Sequence, residues 1–439
     1  MLDWSLLSGP LPVLSRLAAL VAGLWLVGAT VLARRRRSAA ITELAACLLA
    51  AATVTVVLDH LVRHVWMLFP DRLAPTTYLC TCAALFALFV ATTRSVAGRR
   101  AGGAVALMTA ASLVVAGCAN QVNVAYGAYP TARDAIGLAH TDDVALVDTR
   151  SDARPLPDAP PVAWRSSSPP GLAAHGKVAS AVIPAPSAGF STRKAKIYLP
   201  PAYFSDPRPR LPVLVLLAGQ PGEPRDWLRA GGLAQTMDRF AAGHDGLAPV
   251  VVVADATGSR FGNPLCLDSR RGKADTYLAK DVPAWIKSNL TVEPDPKRWA
   301  IAGASYGGTC ALQLATNHPD VYPTFLDISG SAEPTLGDSA HTIVEAFGGN
   351  RKAFSQVNPL ELLATQRYPQ SAAAIVVGNE DRDTKRDAHR VYQAATAAGM
   401  ASQYREVPGA HDWRAFSAAF TLELPWLAER LQLNAPAPS

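Results

Sequence analysis

Four long stretches with almost no charge, residues 17–33, 38–58, 74–93 and 101–118, constrain this chain more than any other feature. Only Glu43 interrupts them, and Arg16 stands just before the first, where its side chain can snorkel outward. Each stretch has about the length needed to cross a bilayer as a helix. Hydrocarbon offers no partner for a backbone N–H or C=O, so a helix, which satisfies both internally, is the structure open to such segments. A soluble bundle would need polar faces, and these segments have almost none. A cleavable signal peptide would account for the first stretch but not for the other three. Apolar residues make up 49% of the chain and charged ones 17%, and the apolar excess is concentrated in this region.

The arginines predict an orientation. Arg34, Arg35, Arg36 and Arg37 lie between the first and second stretches, and Arg94, Arg99 and Arg100 between the third and fourth. The opposite side carries only Arg16, Arg63 and Arg72. Positive-inside asymmetry puts the N-terminus outside, the arginine-rich loops in the cytoplasm, and everything beyond about residue 119 outside. The net charge of +6 is partly these arginines, so it gives no argument for nucleic acid. No zinc-type Cys/His spacing, Walker loop or G-x-G-x-x-G is present, so no metal or cofactor is expected. Cys47, Cys80, Cys82 and Cys118 belong to the apolar region, whereas Cys266 and Cys310 lie in the outer part, where a disulfide could persist. Two isolated cysteines leave that bridge open. Val115-Ala116-Gly117-Cys118 has the form of a lipoprotein cleavage site, but such sites follow a first apolar segment; here the small residues read as a helix end.

Residues 120–189 read as a proline-rich connector, with Pro155, Pro157, Pro160, Pro161, Pro169, Pro170, Pro184, Pro186 and Ser166 to Ser168. A short docking element is expected near 126–147. From residue 190 to 432 short β-type runs alternate with helices, which predicts a layered α/β domain. Residues 433–439 read as a tail. Residues 213–217 and 250–253 suit buried parallel strands, 276–290 a helix, and 372–377 and 404–407 further strands. An open parallel sheet carries its site at the C-terminal strand ends.

Gly303-Ala304-Ser305-Tyr306-Gly307 falls between the apolar run ending at Ala302 and an alanine-rich helical stretch. A serine is a poor nucleophile unless it is held at a tight strand-to-helix turn, facing a histidine and the first helical N–H groups. Roughly 0.1 copies of G-x-S-x-G are expected by chance in a chain of this length, so the flanking strand and helix carry much of the weight. Serine, acid and histidine follow in that chain order in this arrangement. Of His318, His341, His389 and His411, only His411 occupies a glycine-bearing loop between a strand and the last helix. The acid belongs on Gly378-Asn379-Glu380-Asp381-Arg382-Asp383. Asp381, three residues past the strand-ending glycine, reaches the site best, with Asp383 second and Glu380 third. The turn Leu217-Ala218-Gly219-Gln220-Pro221-Gly222 would aim the Gln220 N–H at the same point as the Tyr306 N–H, forming an oxyanion hole.

From about Ser191 to Leu431 these stretches resemble the esterase D family of α/β-hydrolases, which includes the antigen 85 mycolyltransferases. Lys196-Ile197-Tyr198-Leu199-Pro200-Pro201 is similar to its entry strand, and Leu217 to Gly222 with Asp226-Trp227 to its oxyanion region. Tyr277 to Ile286, Gly303 to Gly308 and His411-Asp412-Trp413 complete the likeness. The resemblance implies an α/β-hydrolase fold, a mostly parallel sheet flanked by helices, here preceded by a four-helix transmembrane region. It implies Ser305 as nucleophile, His411 as base and Asp381 as acid. Many members have histidine where Ala218 stands, which removes a side-chain hydrogen bond but no backbone donor. The membrane segments fall outside the likeness, although four-span actinobacterial esterases look similar in layout. The expected activity is that of a membrane-anchored serine esterase or acyltransferase acting outside the cytoplasmic membrane on a lipid or envelope glycolipid ester. A non-catalytic envelope binding or assembly protein on the same fold is the alternative.

Overall fold

The computed structural model describes residues 3–34, 36–66, 73–97, 101–138, 143–146 and 172–433. It divides into two compact units, Met1–Ala139 and His140–Ser439. Arg35, Arg72, Arg99, Arg100 and the connector residues Pro155 to Pro170 lie outside the described residues.

The first unit consists mainly of α1 (Pro10–Ala33), α2 (Arg37–His60), α3 (Pro75–Ala97) and α4 (Ala101–Tyr126). All four are long and apolar enough to cross a membrane. Leu14, Leu17, Leu20, Val21 and Leu24 of α1 are each more than half exposed. An apolar face this open suits hydrocarbon rather than water. The inner contacts are made by Ala22, Leu26, Ala87, Ala91, Ala111 and similar residues. Small side chains let helix backbones approach closely, the usual means of association where no hydrophobic effect operates. A Cβ on Gly117 would stand only 2.5 Å from that of Ala19. Cys118 is well inside α4, which runs on to Tyr126, so the helix does not end at the small residues.

The second unit is built on a nine-stranded sheet: β1 (Asp143–Ala145), β2 (Lys177–Ala181), β3 (Ala195–Leu199), β4 (Val213–Leu217), β5 (Val250–Ala254), β8 (Trp299–Ala304), β9 (Thr324–Ile328), β10 (Ala372–Gly378) and β11 (Ala401–Val407). A small ribbon of β6 (Asp268–Ser269) and β7 (Gly272–Lys273) stands apart from it. The order is β1-β2-β3-β5-β4-β8-β9-β10-β11, and every neighbouring pair is parallel except the two made by β3. β4, β5, β8, β9 and β10 are buried along their whole length, as parallel strands covered on both faces must be. This is the α/β-hydrolase fold.

Two segments differ from expectation. Lys177 to Ala181, expected within the extended connector, instead pairs with β3 in register from Lys177↔Leu199 to Ala181↔Ala195. The stretch from 171 to 183 contains no proline, so its N–H groups are available to the ladder. The helix expected over 276–290 runs from Ala274 to Asn289 but widens into a π-turn at Tyr277–Asp281. The widening comes just before Pro283, which has no N–H to continue the α-helical ladder.

Candidate active site

β8 ends at Ala304, and Ser305 turns the chain straight into the helix Tyr306–Asn317. Ser305 has φ 56° and ψ −122°, a region costly for a residue with a Cβ, on the order of 1–3 kcal/mol. Surrounding bonds hold it there. Its N–H donates to the Ile328 carbonyl at 2.8 Å, and its carbonyl accepts from Gly308 and Thr309 at 2.8 and 3.1 Å. The flanking glycines are required by contact. A Cβ at Gly303 would fall 2.2 Å from the Gly307 carbonyl oxygen, and one at Gly307 would fall 2.3 Å from that of Leu217.

The Ser305 hydroxyl lies 2.8 Å from His411 Nε2, and His411 Nδ1 lies 2.7 Å from Asp381 Oδ2. Burial alone would raise the Asp381 carboxyl, but its hydrogen bond with His411 and the charge of that ring outweigh burial and lower it. An ionised Asp381 only accepts, so Nδ1 carries the proton and donates it. Nε2 is thereby left to accept from the serine hydroxyl, the tautomer a general base needs. Asp381 also caps the helix Arg382–Ala397 by accepting from the Thr384 N–H, which fixes its side chain. Asp383 and Glu380, the other two carboxylates considered, are exposed.

The acid and histidine loops brace each other. Asn379 N–H donates to the Val407 carbonyl and Glu380 N–H to the Gly409 carbonyl, at 2.8 and 2.9 Å. A Cβ on Gly378 would meet the Gly409 oxygen at 2.5 Å. Asp412 then caps the last helix, Trp413–Arg430, by accepting from Arg414 and Ala415 N–H. The other histidines are occupied elsewhere. His318 pairs with Asp275 at 2.7 Å, His389 stacks on Tyr404, and His341 lies in the first turn of the helix Ser339–Phe347.

The oxyanion candidates converge from two elements. Tyr306 opens the helix that follows Ser305. The β4 turn passes so close that a Cβ on Gly219 would stand 3.4 Å from Ser305 Cβ. Gln220 follows, largely buried, with its side-chain amide donating to the Phe261 carbonyl at 3.3 Å. Ala218 is buried in the apolar layer under this turn. Cys266 and Cys310 form a disulfide, with Cα atoms 5.4 Å apart. The Cys266 N–H also donates to the Tyr306 hydroxyl at 3.1 Å, so the loop carrying Cys266 is fastened twice to the helix Tyr306–Asn317. Among the described residues no three His, Cys, Asp or Glu side chains gather as a metal ion would require.

One pair at this edge of the sheet escaped the sequence reading. Asp255 directly follows β5, and its buried carboxylate binds the Arg193 guanidinium at 2.6 and 3.1 Å. A lone charge ending the apolar run Val250–Ala254 was the available signal; its partner, 62 positions away, was not.

Membership of a family gives the class: an enzyme of carboxylic ester chemistry, a hydrolase or an acyltransferase. The Esterase family model matches residues 190–427, and the chain belongs to that family. An uncharacterized protein of Corynebacterium glutamicum is 35% identical over 375 residues, 84% of this chain and 85% of that protein. The diacylglycerol acyltransferase/mycolyltransferase Ag85C of Mycobacterium leprae is 34% identical over 65 residues, 15% of this chain and 19% of that protein. Among solved structures, an S-formylglutathione hydrolase from Agrobacterium tumefaciens matches at 19% identity with a TM-score of 0.49, covering 60% of this chain and 98% of its own.

Proposed function

We propose that this chain is a membrane-anchored serine esterase or acyltransferase working outside the cytoplasmic membrane on an ester of a lipid or envelope glycolipid. The observation that carries the reading is the continuous hydrogen-bonded relay Asp381–His411–Ser305, at 2.7 and 2.8 Å. In the proposed reaction Ser305 Oγ attacks the ester carbonyl while its proton passes to His411 Nε2. Asp381 stabilises the resulting imidazolium. The N–H groups of Gln220 and Tyr306 receive the charge that develops on the carbonyl oxygen. Collapse breaks the bond to the leaving alcohol, which takes the proton from His411 and leaves an acyl-Ser305 ester. Water, or an acceptor hydroxyl, then attacks that ester with His411 again as base, and collapse breaks the bond to Ser305 Oγ, which takes the proton back from His411 as the acid or new ester leaves. Hydrolysis and transfer share all of these residues and differ in what enters second.

Three observations support the outer location and the lipid substrate. The arginine asymmetry around α1 to α4 favours an outer position for everything that follows α4. A disulfide, Cys266–Cys310, persists in oxidising compartments. A tether also raises the local concentration of esters held in the bilayer. In domain terms the proposal is a membrane region that runs through α4 to Tyr126 and a catalytic domain over 190–432 that also takes in β1 and β2 from the residues read as connector. The test is fluorophosphonate labelling of the full chain in detergent micelles. The wild type is expected to label on one serine, and Ser305→Ala and His411→Ala to lose labelling while remaining folded by circular dichroism. A folded wild type that does not label points instead to a non-catalytic binding or assembly role.

A further inference from the structure

Asp255 sits at the C-terminal end of β5, on the same sheet edge as Ser305, yet the relay does not use it. Its side chain is fully buried, and a buried charge is stable only when closely paired and hydrogen-bonded. Arg193 supplies that partner three times over: its backbone N–H donates at 2.8 Å, Nε at 3.1 Å and Nη2 at 2.6 Å. Thr257 N–H and Gly258 N–H donate to the same carboxylate at 3.2 and 3.3 Å. Burial pushes the Asp255 carboxyl up, but the bonds and charge of Arg193 outweigh this and hold it below the usual range.

The guanidinium also reaches outward from this anchor. Nη2 donates to Thr257 Oγ1 at 2.6 Å, and Nη1 donates to the Gly222 carbonyl at 2.9 Å. Gly222 is two residues beyond Gln220, on the turn that carries the candidate oxyanion donor. The Gly222 N–H in turn donates to the Arg260 carbonyl at 3.0 Å. The turn is closed tightly: a Cβ on Gly222 would fall 2.5 Å from the Gly219 carbonyl oxygen. Both peptide groups flanking Gly222 are therefore held by partners from other segments.

We propose that Arg193, locked by Asp255, is a positioning residue that clamps the Gly219–Gly222 turn and so aims the Gln220 N–H at the oxyanion. It rests on the reading of Ser305 and Gln220 given above. The chemistry requires arginine. One planar fork spans Asp255, Thr257 and the Gly222 carbonyl at once, whereas a lysine ammonium is a point charge that cannot bridge all three. A relaxed turn would weaken stabilisation of the transition state while leaving the Asp381–His411–Ser305 relay and substrate binding in place.

The test compares full-length wild type, Arg193→Lys and Arg193→Gln in detergent micelles, with p-nitrophenyl butyrate as substrate. Active sites are counted by end-point fluorophosphonate titration, so that unfolded protein does not enter kcat. For Arg193→Lys the expected result is kcat lower by about 10- to 100-fold, below the loss seen when a whole oxyanion donor is removed. KM should stay within about twofold, and the acid limb of the pH profile, which reports His411, should not move. If Arg193→Lys does not fold, Arg193→Gln, which still donates to Asp255, carries the same expectation. A kcat within about twofold of wild type in whichever variant folds overturns the clamp, as does a loss confined to KM or a shifted acid limb. Failure of both variants to fold also overturns it, because Arg193 would then be structural. A wild type that neither labels nor turns over brings down the reading of the site itself.

Discussion

At the scale of single residues, the site shows how one carboxylate among three becomes distinct. Glu380, Asp381 and Asp383 share a loop, but only Asp381 is both buried and bonded to His411. The sequence ranked these three by their distance from the strand end and could go no further, because burial depends on the packing of the Asp412 loop against Gly378. Ser305 and His411 were legible for a different reason: the turn at Ser305 demands small neighbours, and His411 stands in a glycine-bearing loop. Asp381→Asn is expected to lower kcat by about 1,000- to 10,000-fold by allowing the wrong tautomer, whereas Asp383→Asn and Glu380→Gln should remain within about twofold. The stability readout has a definite sign. Because its folded carboxyl is lowered, Asp381 contributes stability above its unfolded value, and that contribution is lost as pH falls through the folded one. Thermal melts should therefore separate wild type from Asp381→Asn at pH 7 and bring them together in acid. Equal melting curves at both pH values would contradict the ionised assignment.

At the scale of elements, the buried parallel strands were read correctly because β4, β5, β8 and β10 are short uninterrupted apolar runs. β2 was missed because its burial alternates only weakly and its proline-rich surroundings dominate the local composition. Its antiparallel pairing with β3 is a long-range fact that no local pattern carries. The same holds for Arg193 and Asp255, which only the sheet brings together. The Cys266–Cys310 bridge fastens an excursion loop to the helix Tyr306–Asn317 and closes a separation of 44 residues. Constraining an unfolded loop of that size contributes about 3–4 kcal/mol. Cys266→Ala with Cys310→Ala is expected to lower the melting midpoint by several degrees, and reductant should do the same to wild type but not to the variant. Reductant that leaves the wild-type midpoint unchanged would argue that the bridge contributes nothing.

At the scale of the whole molecule, two kinds of solvent are written into one sequence. α1 to α4 turn leucine and valine outward and alanine inward, the reverse of what a helix bundle in water does. The second unit buries its valine-rich strands. The division was visible from the distribution of charge alone, whereas the chemistry needed the fold to bring three distant loops together. The central claim is that Ser305 becomes acylated, and intact-mass spectrometry tests it most directly. Full-length protein mixed with p-nitrophenyl butyrate and quenched within seconds should gain one butyryl group, mapped by digestion to the peptide containing Ser305, with a matching burst of p-nitrophenol. The increment should be absent in Ser305→Ala. Turnover with no covalent increment, or an acyl group on any other residue, would contradict the assignment.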